Sequence, residues 1–149
     1  MAHANADAYA HSPSMLDDEE RAIREVVREF AVDELRPGAR EADETETFPE
    51  EAWDELAALD LTGLTVPEAY GGFDADRSTY AVVNEELAYG HLAVATALSV
   101  HCLATSCIAN FGSEAVKDEW LPAMVDGRPA GAFCLSEPGV GSNPAETTT

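Results

Sequence analysis

Residues 93–110, AVATALSVHCLATSCIAN, are apolar on nearly every side of a helix. A surface helix shows one apolar stripe; a helix apolar all round belongs inside a bundle. This run therefore predicts a central helix, and the rest of the chain must supply helices that cover it. Polar residues interrupt it at Thr96, Ser99, His101, Thr105 and Ser106, which we read as excluding a membrane span. The N-terminus carries no basic segment followed by a long apolar one, so no signal peptide is visible.

The upstream periodicity supplies the covering helices. Asp17 and Glu20 have capping-box spacing. Ile23, Val26, Val27, Phe30 and Leu35 follow at helical intervals, predicting an amphipathic helix to about Arg36, stopped by Pro37 and Gly38. Glu25, Arg28, Glu29 and Asp33 read as its solvated face, and residues 41–47 as a polar connector. Pro49 suits the first position of a second helix carrying Trp53, Leu56 and Leu59, with Trp53 in the core. Residues 64–72, with Pro67, Gly71 and Gly72, read as a loop. Asp76 or Ser78 opens a third helix, with Gly90 at the position just past its end. Gly112 ends the central helix and Ser113 caps a fifth, through Trp120, Leu121, Pro122 and Met124. After a turn at Gly127, Arg128 and Pro129, residues 130–136 read as a strand. That switch in period marks a domain boundary. The expected fold is an all-α helical bundle with one or two trailing β-strand segments. Its parts are a disordered tail over 1–14, with Met15 as an alternative start, a helical domain over 15–128, and the beginning of a β-domain over 129–149. A lone strand leaves its ladder groups unpaired, so 130–136 is expected to be disordered or to dimerise.

Charge narrows the partners. The 29 acidic against 8 basic residues give a net charge of −21. Such a chain repels phosphate, which argues against nucleic acid and against an anionic membrane surface. Self-repulsion of this size destabilises a compact state unless salt screens it, and at 1 M the screening length falls to about 3 Å. The composition therefore points to a halophilic cytoplasm. Cys102, Cys107 and Cys134 are odd in number, lie among apolar residues and lack zinc-ligand spacing, so buried, reduced thiols and no metal site are expected.

Residues 132–143, AFCLSEPGVGSN, carry the functional signal. Pro138 fixes φ, Gly139 and Gly141 permit φ > 0 and close backbone approach, and Ser136 and Ser142 offer hydroxyls at a strand end. That chemistry suits a planar, oxygen-rich ligand; an ordinary Pro-Gly turn has the same composition.

FCLSEPGVGSN resembles the TEPGAGSD flavin-contacting signature of the acyl-CoA dehydrogenases. LTVPEAYGG at 64–72, EELA at 85–88, His101, and the run from Ile108 through FGSE at 111–114 to WLP at 120–122 agree with that family in order. The resemblance covers residues 15–149. It implies an FAD enzyme of fatty acid metabolism that removes the α-proton of an acyl-CoA thioester and passes the β-hydride to flavin N5. It implies flavin contacts from Phe133, Leu135, Ser136, Gly141 and Ser142. Ser136 replaces the usual Thr and keeps its hydroxyl, and Ser142 also lies toward the pantetheine. Asn143 replaces the usual Asp, which leaves the loop's bracing open. Thr96, Ser99 and Leu103 fall where the family lines its acyl channel, although small side chains also suit close helix packing. His101 reads more readily as a core histidine than as a catalyst.

Family members add a middle β-domain and a C-terminal helical domain that carries the catalytic Glu. None of Glu68, Glu85 or Glu137 matches that base. The resemblance thus implies a chain with no catalytic residue of its own, inactive alone. When complete it would be a homotetramer passing electrons to an electron-transfer flavoprotein or similar acceptor. Related readings are a flavin-dependent monooxygenase, an acyl-CoA oxidase, or a non-catalytic helical partner protein.

Overall fold

The computed structural model describes residues 16–148. The tail expected over 1–14, and Met15, lie outside the described residues. Six α-helices are formed among those described: α1 (Asp18–Phe30), α2 (Arg36–Thr45), α3 (Glu50–Ala58), α4 (Arg77–Gly90), α5 (Leu92–Phe111) and α6 (Glu114–Val125). They group into two compact units, one of residues up to Glu55 with Ala75–Thr96, the other of Leu56–Asp74 with residues from Ala97 onward.

In the first unit α1 packs along α4. The capping box at its start is complete: the Asp17 carboxylate accepts from the Glu20 amide and the Glu20 carboxylate from the Asp17 amide, both at 2.8 Å. The helix does not stop at Pro37. A π-turn over Ala31–Leu35, in which the Arg36 amide donates to the Ala31 carbonyl, widens the helix just ahead of the proline. Pro37 then falls in the first turn of α2, where its missing N–H leaves no bond unmade. The expected connector at 41–47 is therefore helical as far as Thr45, and Glu46 ends it in the left-handed conformation at φ 54°. Val27, Phe30, Ala31, Leu35, Trp53, Val83, Leu87 and Val94 form the core, with Trp53 inside as the sequence predicts.

Two close approaches fix α1 against α4. Gly90 is not the residue past the helix end but the last one within α4, with extended His91 as the cap. A Cβ on Gly90 would lie 2.7 Å from the Ala31 carbonyl oxygen, so only glycine lets the backbones meet there. Nearby, Glu86 is buried and accepts from Arg24 Nε at 2.7 Å and Arg28 Nη1 at 2.8 Å. Arg28 therefore does not belong to a solvated face. Its guanidinium also lies 5.1 Å from the Tyr89 ring centre, and that of Arg36 lies 4.2 Å from it.

In the second unit α6 packs on the short 3₁₀ turns Leu61–Gly63 and Glu68–Tyr70. Ser113 caps α6 as predicted, its hydroxyl accepting from the Val116 amide. Leu56, Leu61, Leu64, Val66, Leu98, Cys102, Leu121 and Met124 fill the interior. Helix α5 is long and apolar enough to cross a membrane by length and composition, a test that a core helix also passes, and 39% of that window is buried. It is also less enclosed than expected: Leu92, Leu103 and Phe111 are exposed.

The trailing strand is not formed. Residues 130–136 have no regular structure, and the described residues contain only an isolated bridge between Glu137 and Val140. A strand needs a partner for its N–H and C=O groups, and no described segment offers one. Cys134 is consequently exposed and Cys107 half-buried; of the three thiols expected inside, Cys102 alone is buried, and burial pushes its pKa up to about 11.

The Glu86 cluster yields a direct test. Glu86→Gln weakens two charged hydrogen bonds between α1 and α4. Because both arginines keep some solvent contact, the expected loss is about 2 kcal/mol, below the cost of breaking a fully buried pair. It should be read as a lower urea midpoint at unchanged slope.

Candidate functional site

The loop singled out by sequence is built at the C-terminal end of the second unit. Its start is held from α5: the Gly131 amide donates to His101 Nδ1 at 2.9 Å. From Ala132 to Ser136 the chain runs without secondary structure, with Phe133 and Leu135 exposed at 46% and 43%. At Glu137 it folds back across Pro138 and Gly139, the Glu137 and Val140 amides each donating to the other's carbonyl at 3.0 Å. Gly139 and Gly141 have open space where a Cβ would be, but positive φ among the described glycines falls at Gly71 and Gly127 instead. The loop glycines therefore keep the backbone bare rather than make a left-handed turn.

Among the described residues no hydrogen bond engages the Ser136 or Ser142 hydroxyl, and both residues are exposed. The five residues expected to contact flavin thus lie on one loop with donors and apolar faces uncommitted. The bracing left open by Asn143 comes from elsewhere. The Glu137 carboxylate accepts from the Thr148 amide at 3.1 Å and from the Thr148 hydroxyl at 3.0 Å, closing the loop. Asn143 contributes its carbonyl, which accepts from Glu146 at 3.2 Å and starts the turn Pro144–Glu146. Sequence reasoning assigned Glu137 no role; the signal was an acid directly before the Pro-Gly turn.

Thr96, Ser99 and Leu103 are not equivalent. Thr96 is exposed on α5, its hydroxyl donating back to the Leu92 carbonyl at 2.8 Å. It lines an open cleft of about 940 Å³ walled by α2, by Thr47 and Phe48, and by residues 90–93. Ser99 is half-buried and Leu103 exposed, and neither lines that cleft. At the cleft, His91 Nε2 is buried without a hydrogen-bond partner.

His101 is fully buried in the second unit. Its Nε2 lies 3.1 Å from the Thr62 carbonyl, which can only accept, and its Nδ1 accepts from Gly131. These partners require the neutral tautomer with the proton on Nε2. Burial holds the His101 pKa below the ordinary imidazole value, against the opposing pull of the Thr62 and Met124 carbonyls. No group of three His, Cys, Asp or Glu among the described residues is placed to hold a metal ion.

A helical domain that hands its chain into an exposed serine–glycine loop is the opening architecture of one class of flavoprotein. The chain belongs to the acyl-CoA dehydrogenase family: the family model described as acyl-CoA dehydrogenase, N-terminal domain, matches residues 17–128. It is similar to the acryloyl-CoA reductase (NADH) of Anaerotignum propionicum, 32% identical over 134 residues, covering 90% of this chain and 34% of that protein. The glutaryl-CoA dehydrogenase of Mycobacterium smegmatis, solved in complex with FADH2, superposes with a TM-score of 0.83 at 34% identity, over 90% of this chain and 35% of that one. A structure described as the electron transferring flavoprotein of Acidaminococcus fermentans gives a TM-score of 0.82 at 28% identity, over 88% and 35%. The chain thus spans about a third of the length of the relatives it matches.

A depressed His101 pKa makes the folded state the weaker proton binder. Its contribution to stability is complete above the ordinary value of 6.5 and is lost as pH falls through the lower folded value. Urea midpoints measured from pH 7.5 down to 5 should fall, and His101→Asn should flatten that part of the profile.

Proposed function

We propose that this chain is the N-terminal part of an FAD-dependent acyl-CoA dehydrogenase acting on an acyl-CoA thioester. The observation that carries the reading is the loop itself, with two exposed, unbonded serine hydroxyls, two exposed apolar side chains and a bare Gly141 within ten residues of one another. Those groups fit a flavin. Ser136 would bond the polar edge of the ring system, Phe133 and Leu135 would cover its apolar part, and Gly141 with Ser142 would meet the pyrophosphate or the pantetheine of the substrate. FAD, when bound, supplies the two-electron acceptor for the β-hydride. The residues of this chain orient and exclude water; none is proposed to take the α-proton. Thr96, Ser99 and Leu103 would line the acyl channel.

The relatives support the wider setting: a flavin in the Mycobacterium smegmatis structure, an electron transferring flavoprotein in the Acidaminococcus fermentans one, and acyl-CoA chemistry in their names. We infer an electron-transfer flavoprotein or similar acceptor and a homotetrameric whole protein. We also infer a cytoplasm rich in salt, from the charge of −21. The name of the Anaerotignum propionicum relative supports a second direction, reduction of an enoyl thioester by the same machinery.

FAD titration of the full natural polypeptide, followed by visible absorbance, tests the site. Ser136→Ala removes one hydrogen bond and should weaken FAD about fivefold to tenfold. Unchanged affinity in a Ser136→Ala, Ser142→Ala double variant would overturn the assignment. Bleaching of the bound flavin by acyl-CoA, or its reoxidation by enoyl-CoA, reports the direction. The charge reading is checked separately: the melting temperature should rise steadily from 0.1 to 2 M NaCl, and a flat or falling curve refutes halophilic adaptation.

A further inference from the structure

We propose that His101 is the positioning residue of the flavin-contacting loop, fixing where residues 132–136 begin; this rests on the flavin reading above. Between Pro129 and Ser136 the Gly131 amide makes the one hydrogen bond found among the described residues, and its acceptor is His101 Nδ1 at 2.9 Å. The other end of the segment is held by the Glu137–Val140 bridge and by Thr148 on Glu137. With no ladder partner in between, the two ends set the path of Phe133, Leu135 and Ser136.

The ring is itself held. His101 Nε2 donates to the Thr62 carbonyl at 3.1 Å, and the Thr62 hydroxyl donates to the Val125 carbonyl at 2.6 Å, tying the turn Leu61–Gly63 to the end of α6. Helix α5, that turn and α6 therefore converge on one imidazole. Gly131 is fitted to the same place: a Cβ there would lie 2.7 Å from Ala104 Cβ and 3.2 Å from His101 Cα. Ala104 sits three residues after His101 on α5, so the two present one small patch onto which only a glycine amide can settle. Both halves of the bond are thus specified, a buried acceptor and a residue small enough to reach it.

Two isosteric substitutions separate positioning from packing. In Asn the side-chain oxygen occupies the place of imidazole Nδ1; in Gln the terminal amide reaches toward the place of Nε2. His101→Asn keeps an acceptor for Gly131 and loses the Thr62 bond, whereas His101→Gln does the reverse. The experiment measures amide hydrogen exchange at Gly131 and FAD affinity in the full natural polypeptide. His101→Gln should exchange Gly131 about tenfold faster and weaken FAD about tenfold, while His101→Asn stays near wild type in both. Gly131→Ala, which leaves the histidine untouched, should weaken FAD in the same way. Equal behaviour of the Asn and Gln variants, or full Gly131 protection in the Gln variant, overturns the proposal. Exchange that follows the expected order in a wild type that binds no FAD supports the anchor and sinks the flavin reading instead.

Discussion

Helix α5 cannot be covered by apolar side chains alone, because His101 and Thr105 are fully buried within it. An unpaired polar group in such a place costs several kcal/mol at the upper end, so its neighbours must present hydrogen-bonding partners at fixed points. Thr105 is satisfied within its own helix, its hydroxyl donating to the Cys102 carbonyl at 3.1 Å. His101 reaches outward, to a turn on one side and to the approaching loop on the other. That demand organises the second unit. The turn Leu61–Gly63 and Gly131 both answer to the buried imidazole, and the Thr62 hydroxyl ties that turn to the end of α6.

The first unit meets a comparable demand with charge. Glu86 is buried on α4 and takes two arginines from α1, whose guanidinium groups keep partial contact with water. A carboxylate with two partners is held in a way that one partner could not match, and the pairing sets the register of α1 along α4. The Gly90–Ala31 approach fixes the same register by shape. The π-turn just after α1 follows from it: the chain must turn Pro37 into a position that requires no N–H while keeping Leu35 in the core.

Much of the helical part was legible. Caps at Asp17 and Ser113 declared themselves, and Asp76 was one of two offered with Ser78, because a cap is local, one side chain reaching an amide three residues on. Trp53 was placed in the core by its neighbours' spacing. The errors share a cause. Pro37 and Gly38 read as a stop because local chemistry says so, and a distant packing constraint carried the helix through. Gly90 read as a helix terminator, and it is there for Ala31, far away in sequence. Residues 130–136 read as a strand from their apolar composition and do not form one, because a strand is a property of two segments and its partner is not among those described.

What the sequence determined by itself was five of the six described helices, the caps that start them, a strongly acidic composition and a loop whose order of residues marks its family. These depend on interactions within a turn or two of the chain. What only the tertiary structure decided was which polar groups answer each other: Arg28 with Glu86, His101 with Gly131 and Thr62, Glu137 with Thr148. Each of those pairs joins residues 11 or more positions apart in the chain, so no local pattern can announce them.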